Sequence, residues 1–153
     1  LFVFITLSIG FRSFKQATVT LVPILLVVVW LYGLMYMAGS SLNIVTVTIA
    51  TISLGVGIDY CIHVTERYRE GRESGESHDE ALIGIGGACG LALIGSAASD
   101  IAGFSVIALS PMGLFTNFGI FSAAMIAFSL VASLVLTTAA LGLVARKPSA
   151  EAS

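Results

Sequence analysis

Charge is missing from long stretches of this chain, and that absence constrains the fold more than any other feature. No charged side chain occurs between Lys15 and Asp59, between Glu80 and Asp100, or between Asp100 and Arg146. About 20 apolar residues cross a bilayer as a helix, and these intervals are of that length or longer. Only 10% of the 153 residues are charged, against 57% hydrophobic, whereas soluble domains carry about a quarter charged residues. The runs also lack the alternation, in segments of about ten residues, that marks a membrane β-barrel. The expectation is an all-α integral membrane protein. A net charge of -2 gives no electrostatic case for a nucleic-acid partner.

Residues 1–10 form an apolar run too short to span a bilayer, and they read as the end of a helix truncated at its start. Four complete transmembrane helices are expected at about 18–38, 44–65, 82–109 and 114–145. Together with the truncated helix they make a partial transmembrane domain over 1–145, followed by a tail at 146–153. The seven basic residues are Arg12, Lys15, Arg67, Arg69, Arg72, Arg146 and Lys147. All follow the first, third or fifth run, while the connections Gly39–Asn43 and Ser110–Gly113 carry no charge. Every basic residue therefore falls on one side, which the excess of Lys and Arg marks as cytoplasmic. The mixed-charge segment Glu66–Glu73 should continue the third run as a surface helix with Glu66–Arg69 and Arg69–Glu73 pairs, ended by Gly71 and Gly75. Its Arg67, Arg69 and Glu70 anchor the cytoplasmic end of that helix.

Two acids break the pattern. Asp59 and Asp100 lie inside apolar runs, where an aspartate costs about 2.5–3.5 kcal/mol on insertion scales. Such groups face the bundle interior and are candidates for function. From the helical rise, Asp59 lies roughly 22 Å and Asp100 roughly 15 Å from the outer ends of their helices. His63 shares a face with Asp59 one turn on, and Tyr60 points about 100° away. A carboxyl and an imidazole so placed can pass protons at cellular pH. Around Asp100, Gly84, Ala88, Ala92 and Ser96 recur every four residues, with Gly103 next on the same side. Such a stripe suits close helix packing, with Ser96 and Ser99 beside the acid. Cys61 and Cys89 read as small residues within apolar segments. His63 and His78 lack a ligand cluster, so neither a metal nor another cofactor is expected.

The run Gly55-Val56-Gly57-Ile58-Asp59-Tyr60-Cys61-Ile62-His63, followed by Arg67-Tyr68-Arg69-Glu70, resembles the fourth helix of a half-repeat in the resistance-nodulation-division (RND) superfamily. It is most similar to the branch of mycobacterial membrane protein large (MMPL) transporters, hopanoid exporters and Patched-like proteins. Phe11-Arg12-Ser13, Pro23, Leu42-Asn43-Ile44-Val45-Thr46, Ser99-Asp100-Ile101-Ala102-Gly103-Phe104 and Phe118-Gly119 extend the similarity along nearly the whole chain. Asp100 departs from it, standing where the family often has threonine. The last run also lacks the family's proline.

The resemblance implies half of an RND-type transmembrane domain, the C-terminal half, in a prokaryotic cytoplasmic membrane. By that resemblance Asp59 and Tyr60 would form its proton relay; placement on the helices adds His63 to it, Ser96, Ser99 and Asp100 as supporting groups, and Gly55, Gly57 and Gly103 as packing positions. Its partners would be the lipid bilayer, protons, a hydrophobic or lipid substrate, the other transmembrane half and extracytoplasmic porter domains; a homo-oligomer stays open. The activity implied is export driven by the proton-motive force. A sterol-sensing or Patched-like sensor shares the architecture, so fold alone does not separate the two. An intramembrane aspartyl protease would need Gly-x-Gly-Asp, and the extra residue before Asp59 rotates the acid by about 100°. Translocation accessory subunits of the superfamily lack the Asp-Tyr pair.

Overall fold

The computed structural model describes residues 14–40 and 44–145. All regular structure among them is helical, as the apolar runs require. Arg12, Asn43, Arg146, Lys147, the truncated helix and the tail lie outside the described residues.

Helix α1, Phe14–Met37, ends on Gly39, whose φ of +65° is the left-handed conformation glycine adopts without steric cost. Helix α2, Ile44–Glu73, ends on Gly75 (φ +88°). The expectation that Gly71 also ends this helix is corrected. Gly71 stays helical and buried, because the chain turns back only at Gly75, where the Glu76 N–H donates to the Gly71 carbonyl (2.9 Å).

Helix α3 covers His78–Ala108 and α4 covers Gly113–Val131, Ala132–Thr137 and Thr138–Ala145. By length and composition α3 and most of α4 (Gly113–Gly142) can cross a membrane, while the apolar part of α1, Leu21–Met37, is shorter. The start of α3 is set by a reciprocal cap. The Glu80 N–H donates to Ser77 Oγ (3.2 Å), and the Ser77 N–H donates to the Glu80 carboxylate (2.8 Å), which satisfies two otherwise orphaned donors. Both helices contain a π-helical stretch, Ile85–Cys89 in α3 and Ala132–Thr137 in α4. The first bends α3 at Gly87, within the glycine-rich segment Gly84–Gly90.

Helix α4 is the centre of the bundle and touches α1, α2 and α3. It buries Phe121, Met125, Ile126 and Ala132, with Ser122, Ser129, Ser133 and Thr137 on the same inward side. The buried Thr137 hydroxyl donates to Cys61 Sγ (3.5 Å), tying α4 to α2. Helices α3 and α4 approach closely at Gly119, where a Cβ would sit 2.8 Å from Ala108 Cα and nearer still to the Phe104 carbonyl. Helix association in lipid depends on such close van der Waals packing, since lipid chains are as apolar as the side chains. Because the Gly90–Ala108 part of α3 leans on α4, α2 packs closely only against the first turns of α3. Beyond them the two helices enclose a groove.

Candidate functional site

The groove has a volume of about 510 Å³, and α2 lines it with Val56, Asp59, Tyr60 and His63. Cys89, Ala92, Leu93, Ser96 and Asp100 of α3 form the facing wall. Asp59 and Asp100 thus share one cavity. Tyr60, next to Asp59 in the chain, donates its hydroxyl to Asp100 Oδ2 at 3.2 Å. Tyr60 is only 4% exposed, because it continues the buried row Tyr60, Val64, Tyr68 on the inner face of α2. Asp59, rotated from it, is exposed, and Asp100 is half-buried. The Asp59 carboxylate has no hydrogen-bond partner among the described residues.

His63 also opens on the groove and is exposed. Its carbonyl lies 3.9 Å from Cys89 Sγ. Ser96 lines the cavity one turn before Asp100, while Ser99 is exposed and outside it. Gly57 lies within α2. Gly55 and Gly103 are exposed, and a Cβ at either would meet nothing within 4 Å. Among the described residues, no helix covers most of the stripe Gly84–Gly103. Ala88, Ala92, Ser96 and Gly103 are exposed, because α3 turns Leu93 and Ala97 inward instead.

At the Arg-rich end, the expected pairs form: Arg69 meets Glu66 at 2.6 Å and Glu73 at 3.4 Å. Arg67 reaches across to Glu76 (3.2 Å). Its guanidinium lies over Gly84, where a Cβ would come within 2.6 Å of a guanidinium nitrogen. Glu70 is exposed. Tyr68 and His78, which the sequence does not single out as a pair, join α2 to α3 by an oxygen–Nδ1 contact of 2.9 Å and an edge-on ring contact. No cluster of three or more potential metal ligands occurs among the described residues. Glu80, exposed at the start of α3, is held below the usual carboxylate range by the Ser77 N–H and then by the Ser77 hydroxyl.

A helical bundle with long apolar helices and a carboxylate-lined groove defines a class of integral membrane protein. The chain belongs to the MMPL family, whose profile matches residues 1–152. It is 34% identical over 137 residues to MJ1562 of Methanocaldococcus jannaschii, whose name calls it a membrane protein, covering 90% of this chain and 35% of that one. It is 30% identical over 141 residues to the hopanoid transporter HpnN of Burkholderia multivorans, covering 88% of this chain and 16% of that one. The chain therefore spans about a third or less of these relatives. No solved structure matches it.

Proposed function

We propose that this chain is part of the transmembrane domain of an RND-type exporter that moves lipids or other hydrophobic compounds using the proton-motive force. The observation that carries the reading is the groove itself. It holds an exposed aspartate without a hydrogen-bond partner among the described residues and a second acid bonded to a buried tyrosine, each within an otherwise uncharged stretch of helix. An acid at membrane depth is stabilised when it faces protein or water rather than lipid.

In this reading α1 to α4 and the run before them are the last five helices of one half, and Arg67, Arg69 and Arg72 mark the cytoplasmic side. The other half covers the groove and the small-residue face of α3, which explains why Asp59, Gly55 and Gly103 are open here. Protonating Asp59 converts it from an acceptor only into a group that also donates. That changes its bonds to the covering helix, biases two arrangements of the bundle and moves the porter domains. The Burkholderia relative's name makes a hopanoid the first cargo to try.

The test is transport by the full-length protein in proteoliposomes loaded with a hopanoid. Export should follow an imposed pH gradient and stop when a protonophore collapses it. Export that ignores the gradient removes proton coupling. A protein that binds hopanoid but never moves it is a sensor instead.

A further inference from the structure

The Tyr60–Asp100 bond carries a consequence for Asp100 that rests on the proton-coupled reading above. We propose that Asp100 is itself a proton-binding group of the groove, exchanging its proton through the Tyr60 hydroxyl, so that this half holds a two-carboxylate site rather than a single acid. Three observations support it. The acceptor of the Tyr60 hydroxyl is an acid, although a neutral asparagine or threonine would accept the same bond without the roughly 2.5–3.5 kcal/mol an aspartate costs in the membrane. Asp100 is half-buried and lines the groove, so one of its oxygens is bonded to Tyr60 and the rest of the carboxyl faces the groove. The cavity, at about 510 Å³, has room for several waters at about 30 Å³ each.

The groups that face Asp100 are few. From α2 they are Asp59, Tyr60 and His63, and from α3 itself Cys89 shares the cavity. Helix α4 carries no titratable side chain from Gly113 to Ala145, and Tyr32 and Tyr36 of α1 line a different cleft. The transfer balances without any further reactant. A proton from the Asp59 carboxylic acid reaches the Tyr60 oxygen through groove water, while the Tyr60 O–H proton moves along its existing bond to Asp100 Oδ2. The phenol is regenerated, Asp59 is left as carboxylate, and Asp100 becomes the acid.

Infrared difference spectroscopy of the full-length transporter, titrated with acid, reads protonated carboxyls directly by their carbonyl stretch. Asp100→Asn keeps an acceptor for Tyr60 and should lose one component of the titrating band, and Asp59→Asn should lose another. Tyr60→Phe should retain the Asp100 component at a shifted frequency, because its hydrogen bond is gone. Asp100→Glu restores a carboxyl and should restore a component, which separates loss of the acid from a folding defect. If Asp100→Asn superposes on the wild type while Asp59→Asn loses its component, Asp100 only packs; this inference falls and the exporter reading stands. If neither variant changes the band, both readings fall.

Discussion

Gly119→Ala tests the packing that holds α3 against α4. The new methyl would sit 2.8 Å from Ala108 Cα, whereas ordinary contact begins at 3.4 Å. The opposing atoms belong to the backbone of α3, so no side-chain rotation relieves the overlap and the helices must separate by at least that difference. Overpacking of this kind costs about 1–3 kcal/mol, which lowers the folding equilibrium constant by about 5- to 150-fold. The assay is equilibrium unfolding of the full-length transporter in mixed micelles with increasing denaturing detergent. Gly95→Ala is the control: a Cβ there meets nothing within 4 Å, and alanine is the better helix former by up to about 1 kcal/mol. The reasoning is refuted if Gly119→Ala is as stable as the wild type, or if Gly95→Ala is equally damaging.

Other consequences concern the Arg-rich end. Ser77→Ala removes the first cap of α3 and should cost about 1 kcal/mol, visible as faster hydrogen exchange at the amides of residues 78–81. Glu80 is held below its ordinary range in the folded chain, so its contribution is present above the unfolded value and lost as pH falls through the folded one. Glu80→Gln should abolish that acid-side loss, so an exchange-versus-pH profile in the acid range flattens relative to the wild type. Arg67→Ala breaks a pair whose side chains are 30% and 34% exposed. It should therefore cost no more than about 1 kcal/mol in the same unfolding titration.

Several features were legible in the sequence because they depend on composition alone. The absence of charge over long intervals implied helices, and the cost of burying an acid singled out Asp59 and Asp100. That Tyr60 bonds to Asp100 was not legible. On a helical wheel Tyr60 points away from Asp59, and only the rotation of α2 against α3 brings its hydroxyl to Asp100. What packs on the small-residue stripe was not legible for a related reason. Spacing places Gly84, Ala88, Ala92 and Ser96 on one face, but nothing in the spacing says that α3 turns Leu93 and Ala97 toward α4 instead. Gly71 misled because a glycine after a charged run resembles a helix end, while Gly75, four residues on, makes the turn. The cap that starts α3 could have been found, since Ser77-His78-Asp79-Glu80 before an apolar run is a capping-box pattern. The π-helical stretches leave no comparable pattern.

The proposal that protonation of Asp59 drives export is tested most directly by Asp59→Asn in the full-length protein. Asparagine keeps the size and the amide oxygen but cannot change charge. With the variant reconstituted and its assembly verified, a pH gradient should drive no hopanoid export, and a pH-sensitive dye trapped in the vesicles should record no cargo-linked proton movement. Export by Asp59→Asn that follows the gradient as the wild type does would contradict the account.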